Sequence, residues 1–127
     1  MSDRNLVFVV DDDLGTLRGL QRLLREHGYE CMLFQSAEEF EKCDAFERGI
    51  CVVLDVQLND DSGIAARYRL SAAGVSLPVI YITANDNDAV RVAAMESGCI
   101  AYLRKPFPAK SLIEPIERAA ASMMSRR

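Results

Sequence analysis

The chain is short of the side chains that build soft-metal and disulfide sites. It has one histidine, His27, and its four cysteines (Cys31, Cys43, Cys51, Cys99) are widely spaced with no C-x-x-C pair. That donor set does not suit zinc, and the cysteines read as reduced, largely buried small residues. No run approaches the roughly 20 apolar residues needed to cross a bilayer. No charged leader with a small-residue cleavage site precedes the first apolar run, so no membrane contact is expected and the cytoplasm is the expected location. A basic excess is missing too. Fifteen Lys and Arg against nineteen Asp and Glu leave a net charge of −4, which argues against direct nucleic-acid binding, because that needs a basic face to displace counterions.

What is present is ordinary for a compact domain: 127 residues, half of them apolar and 27% charged, with no internal linker or low-complexity tract. One domain is expected over 1–127. Short β-rich runs alternate with helical stretches throughout. Leu6 to Val10 is a continuous apolar run, as in a strand covered on both faces. Leu17, Leu20 and Leu24 fall at helical spacing between Leu14 and His27, and Gly28 stops that helix. Tyr29 to Phe34 reads as a second strand. Ser36-Ala37-Glu38-Glu39 is a capping-box pattern opening a helix through Phe40, Cys43 and Phe46. Ile50 to Leu54 is a third strand ending in Asp55, followed by a loop and a helix of about ten residues closed near Gly74. Pro78 opens a fourth strand, Val79 to Ile82. Asn85-Asp86-Asn87-Asp88 offers N-cap chemistry for a helix ending at Ser97-Gly98. Ile100 to Arg104 is the fifth strand, and a terminal helix follows. Five βα units with short connections imply an α/β fold, a parallel sheet with helices on both faces.

The chemistry collects at the carboxyl ends of these strands, where open α/β sheets bind ligands. Asp11, Asp12 and Asp13 follow the first strand, Asp55 the third, Thr83 the fourth and Lys105 the fifth. If the first and third strands are neighbours, Asp11, Asp12 and Asp55 converge and repel unless a cation lies among them. Hard oxygen donors suit magnesium. Magnesium, an ammonium and a hydroxyl around one carboxylate can hold a phosphoryl group, and a carboxylate can itself be the nucleophile. Asp55, ending a buried central strand, is the candidate nucleophile.

This constellation resembles the receiver domain of bacterial two-component response regulators, across essentially the whole chain. The resemblance rests on the acidic cluster after strand one, the lone Asp55, the Thr83-Ala84 pair and Lys105-Pro106-Phe107, at intervals of 43, 28 and 22 residues from Asp12 onward. It looks most like receivers of the FixJ type, whose full-length members carry a C-terminal helix-turn-helix domain. The resemblance implies a doubly wound (βα)5 flavodoxin-like three-layer sandwich with strand order 2-1-3-4-5. It implies phosphoryl transfer from a sensor histidine kinase onto Asp55 with Mg2+, slow self-catalysed dephosphorylation, and Lys105 neutralising a phosphoryl oxygen. Asp12 and Asp55 would hold the metal through carboxylates, Gln57 through its backbone carbonyl and Asp11 mainly through water. Thr83 and Tyr102 would be switch residues, the Lys105–Pro106 peptide would be cis, and the fourth helix, fifth strand and fifth helix would form an output face where homodimers arise. DNA would be reached only through a C-terminal output domain beyond these residues. Two other readings compete. One is an aspartate-nucleophile phosphatase of the haloacid dehalogenase type, which wants an acid where Gln57 stands. The other is a receiver-like interaction module that binds partners without phosphorylation.

Several residues carry plainer expectations. Asp13 reads as an N-cap or first-turn charge, Asp60 and Asp61 as solvated loop acids, His27 as a helix-end residue, and Arg18, Arg22 and Arg25 as a solvated face. Met123 and Met124 read as helix packing. Many receivers carry proline where Asn59 stands, so the loop after Asp55 should be more mobile here. Pro115 would forfeit a hydrogen bond inside a helix, so the last helix is expected to begin regularly near residues 111–114, with Ser111 capping, or to kink there.

Overall fold

A computed structural model of the chain describes residues 5–59 and 61–125, with side chains to 123. Five strands form one parallel sheet: β1 (Leu6–Val10), β2 (Glu30–Phe34), β3 (Gly49–Asp55), β4 (Val79–Thr83) and β5 (Ala101–Arg104), in the order β2-β1-β3-β4-β5. The helices between them are α1 (Leu14–Glu26), α2 (Ala37–Glu41), α3 (Gly63–Ala72), α4 (Asp88–Glu96) and α5 (Ala109–Ser125). The order reverses at β1, so β1 and β3 lie side by side and the connections leave their carboxyl ends in opposite directions. The doubly wound α/β sandwich expected from the sequence is the fold.

The period-2 alternation of the strands builds two cores. Phe8, Val10, Val52, Leu54, Val79 and Tyr81 face one side with Phe40 of α2, Ala66 and Leu70 of α3 and Ala94 of α4. Val7, Val9, Val53, Ile80 and Ile82 face the other, against Leu17, Leu20 and Leu24 of α1 and Leu112, Ile113 and Ile116 of α5. Strands buried on both faces read as unbroken apolar runs for this reason. Phe8, Phe34, Phe40 and Phe46 pack ring to ring, with centroids 5.2 to 6.3 Å apart. Gly49 admits this cluster, since a Cβ there would overlap the Phe8 ring.

The caps follow the sequence closely. Asp13 Oδ2 accepts from the Thr16 amide at 2.9 Å and opens α1. Ser36 Oγ accepts from the Glu39 amide and Asn87 Oδ1 from the Val90 amide. Gly28, Gly74 and Gly98 take positive φ just past α1, α3 and α4. His27 is the C-cap residue of α1, and Arg18, Arg22 and Arg25 are exposed.

Two expectations about the helices need correction. α2 stops at Glu41, and Phe46 belongs to a separate 3-10 turn, Phe46–Arg48. Its ring still joins the phenylalanine cluster, so apolar spacing marked the packing but not the helix length. The loop after Asp55 holds a two-residue antiparallel ladder pairing Gln57 with Ser62 and Leu58 with Asp61. Lastly, α5 runs unbroken from Ala109 with Pro115 inside it. The Ser111 amide donates to the Pro108 carbonyl at 3.0 Å, so Pro108 leads into the first turn and Ser111 is already within it. Burial explains why Pro115 is tolerated. Burying Leu112, Ile113 and Ile116 contributes roughly 5–9 kcal/mol, against about 3 kcal/mol for an interior proline, and the Pro115 ring is itself buried.

Candidate functional site

Strand ends bring the acidic residues together. Asp11 follows β1 with its amide on the Phe34 carbonyl, and Asp55 is the last residue of neighbouring β3. Asp11 is fully buried and Asp55 is 5% exposed, while Asp12 is half-buried. One carboxylate oxygen from each of Asp11, Asp12 and Asp55 lies within 4.8 Å of the others. Asp13 points its carboxylate to its own helix instead.

Lys105 answers two of these charges. Its Nζ donates to Asp11 Oδ2 at 2.8 Å and to Asp55 Oδ2 at 2.9 Å. The remaining oxygens are oriented by backbone amides: Asp13 N to Asp11 Oδ1 at 2.8 Å and Gln57 N to Asp55 Oδ1 at 2.9 Å. Burial pushes the Asp55 carboxyl up to about 6, although the Lys105 and Gln57 hydrogen bonds pull it down; Asp11 beside it raises it further. Burial disfavours charge on Lys105, but the bonds to Asp11 and Asp55 outweigh it, so the ammonium is held above its ordinary value. Around this ion-paired cluster the backbone is tightly drawn. Gly63 N donates to the Val56 carbonyl, and a Cβ on Gly63 would overlap the Asp55 carbonyl oxygen.

Thr83 ends β4, fully buried, and its Oγ1 accepts from the Asn85 amide at 3.1 Å. Tyr102 lies opposite Tyr81 on β5, half-buried, and its hydroxyl donates to Asp86 Oδ1 at 2.9 Å. Burial and the Asp86 carboxylate push that phenol up to about 12. The Lys105–Pro106 peptide is cis. A cleft of about 740 Å3 opens beside the carboxylates, with Asp12, Gln57, Leu58, Ile64 and Val90 in its walls.

Sequence reasoning missed three groups of contacts. Asn85 Nδ2 donates to Gln57 Oε1 at 2.8 Å, joining the loops after β3 and β4. Asp86 takes Tyr102 and Arg91 together, at 2.9 and 2.6 Å. Of the polar run Asn85-Asp86-Asn87-Asp88, then, only Asn87 is the cap, and Asp88 is the first residue of α4. Asp61 is no free loop acid: Arg69 bridges it at 2.6 Å and Glu41 at 2.7 Å, tying the loop after Asp55 to α3 and α2. These partners are up to 28 residues apart, so no local pattern announces them. Asp60 and the side chain of Met124 lie outside the described residues; Met123 packs on the α1/α5 core. The cysteines are free, and burial pushes Cys31 to about 11 and Cys51 to about 12, so neither is a thiolate at neutral pH.

Three carboxylates and one ammonium leave two net negative charges among buried and half-buried oxygen donors. That surplus and that donor chemistry fit one hard divalent cation. Among the described residues no helix is long and apolar enough to cross a membrane.

Comparison with known proteins agrees with this geometry. Residues 7–117 match the family model described as the response regulator receiver domain. Nodulation protein W of Bradyrhizobium diazoefficiens is 33% identical over 126 residues, covering 99% of this chain and 56% of that protein. Transcriptional regulatory protein TdiR of Thauera aromatica is 32% identical over 115 residues, covering 91% of this chain and 51% of that protein. The chain spans about half the length of these curated relatives. The solved structure of FixJ-N matches with a TM-score of 0.82 at 31% identity, covering 95% of this chain and 96% of that one.

Proposed function

This chain belongs to the response regulator receiver family, and on that premise we propose that Asp55 is its phosphoacceptor, taking a phosphoryl group from a sensor histidine kinase. The observation that carries the proposal is the Lys105 ammonium shared between the buried carboxylates of Asp11 and Asp55, with Asp12 beside them. Asp55 is rigid at the end of a central strand and ionised above about pH 6, as a carboxylate nucleophile must be. Lys105 is cationic and within reach of any oxygen bonded to the Asp55 carboxylate, where it would balance phosphoryl charge.

Asp12 and Asp55 would hold Mg2+ through carboxylates, Gln57 through its carbonyl and Asp11 through water. When bound, the ion supplies neutralisation of the phosphoryl oxygens. The chain's own residues do the rest. The amides of Asp13 and Gln57 fix the carboxylate orientations. Thr83 Oγ1, buried at the strand end, is the hydroxyl that would follow the phosphoryl group inward, and Tyr102 would change rotamer to fill the vacated space. Phosphorylation thus biases two pre-existing states rather than creating a new one. We read the face made by α4, β5 and α5 as the output and homodimer surface, exposing Val92 and Met95. The reaction belongs in the cytoplasm, and DNA is contacted only through an output domain of the kind the longer relatives have room for.

The test is intact-protein mass after incubation with Mg2+ and a small acyl-phosphate donor. One added phosphoryl group, absent in Asp55→Asn, is expected. No adduct in the native chain, or an adduct that persists in the variant, overturns the assignment.

A further inference from the structure

A second cavity, of about 400 Å3, lies at the opposite edge of the sheet. It is lined by Pro78 and Ile100, which precede β4 and β5, so it sits at the amino ends of the strands that carry Thr83 and Lys105 at their carboxyl ends. A strand of this length puts roughly 15 Å between the two edges. Arg67 of α3 and Arg118 of α5 enter it from the two helical layers, with Ser76 and Ser122 beside them. No carboxylate is among its lining residues.

Arg69, two residues from Arg67, binds Glu41 and Asp61 together. Among the described residues, neither Arg67 nor Arg118 pairs with a carboxylate, and Arg67 Nε is shut off from solvent with no hydrogen-bond acceptor. Buried donors nearly always find a partner, so Arg67 leaves one donor unsatisfied beside the cavity. Two arginines on a chain of net charge −4 make a local positive site, and the planar fork of each suits carboxylate or phosphate oxygens. The rest of the wall is apolar, from Leu77, Pro78, Ile100 and Ala119. A polar head set over an apolar wall, in a volume within the usual range of about 300–1,000 Å3, is the composition of a small-molecule site.

We infer that this cavity binds a small organic anion, a carboxylate or phosphate monoester carried on an apolar body, at a site separate from the acidic cluster. The guanidiniums and the serine hydroxyls take the anionic head, and the body lies on Leu77 and Ile100. Inorganic phosphate lacks the body and an aromatic alcohol lacks the head, so each is expected to bind more weakly than a ligand that has both.

Residue-resolved NMR of the metal-free chain, titrated with phenyl phosphate and separately with benzoate, tests this. Saturable amide shifts centred on Leu77, Ile100 and Ala119 are expected with at least one of the two, the tighter naming the preferred head. Inorganic phosphate and benzyl alcohol should each bind more weakly than the tighter of the two probes. Arg118→Gln, at an exposed position, should weaken binding about ten-fold, the effect of losing one charge-assisted contact, and Arg67→Gln should do the same where the spectrum shows it folded. Shifts centred on Asp55 and Lys105, no saturation with either probe, or an affinity unchanged by Arg118→Gln would overturn the inference.

Discussion

Burial and the Lys105 ammonium act on the Asp55 carboxyl in opposite directions, and burial wins. Burial lifts the Asp55 carboxyl from 3.8 to about 6, so between those pH values the folded chain keeps a proton that the unfolded chain releases. Stability from this group therefore falls as pH rises through that window, and its charged form is a standing cost above about pH 6. In metal-free buffer Asp55→Asn is expected to be more stable than the native chain above pH 6, by on the order of 1–3 kcal/mol, the gain closing as pH falls toward 4. Urea denaturation of both proteins across that range checks it; a variant less stable at pH 7.5 would show that the lost hydrogen bonds dominate. Lys105 acts with the opposite sign. Lys105→Ala leaves the Asp11 and Asp55 carboxylates facing each other without their shared cation. A loss of about 1–3 kcal/mol at pH 7.5 is expected, below the roughly 3–5 kcal/mol of a broken fully buried pair because Lys105 keeps some solvent contact. The deficit should shrink below pH 6 as Asp55 takes up a proton, which the same denaturation series would detect.

At the scale of elements, two positions test how the chain enters and leaves the site. Gly63 starts α3 with its Cα against the Asp55 backbone. Gly63→Ala must push either the loop or the strand end, and a drop of about 1–3 kcal/mol in thermal or chemical denaturation is expected, with slower phosphorylation by a small donor. An unchanged rate would show that the loop moves without disturbing Asp55. Pro115 is the converse case. Pro115→Ala restores an amide inside α5 and is expected to raise the melting temperature, because an interior proline costs about 3 kcal/mol and the alanine loses only part of the buried ring. A lower melting temperature would mean that ring packing outweighs the missing bond. These elements also show what the residues disclose on their own. The strands and the caps at Asp13, Ser36 and Asn87 were legible, because apolar periodicity and N-cap chemistry are local. So was the grouping of Asp11, Asp12, Asp55 and Lys105, which needs only the strand order. The start of α5 was not legible, because burial of Leu112, Ile113 and Ile116 overrides the local preference that Pro115 and Ser111 express. Nor was the Arg69 clamp or the Asn85–Gln57 bond, since each joins residues that only the folded sheet brings together.

For the whole molecule, the sheet places a negative pocket at the carboxyl edge and a positive cavity at the amino edge, with both cores between them. A ligand that binds only the folded pocket stabilises the entire domain by mass action, about 2.7 kcal/mol at a hundred-fold excess over its dissociation constant. Mg2+ is therefore expected to raise the melting temperature of the native chain in a saturable way. It should do so little in Asp12→Asn or Asp55→Asn, which a thermal-shift titration measures directly. Equal response of all three proteins would place the ion elsewhere. The most direct measurement of all is chemical mapping of the acceptor. The chain is phosphorylated with Mg2+ and a small acyl-phosphate donor, reduced with borohydride, and digested for peptide mass analysis. Position 55 should be recovered as homoserine, the reduction product of an aspartyl phosphate, with Asp11 and Asp12 intact; homoserine at position 11 or 12, or at none of the three, would contradict the account.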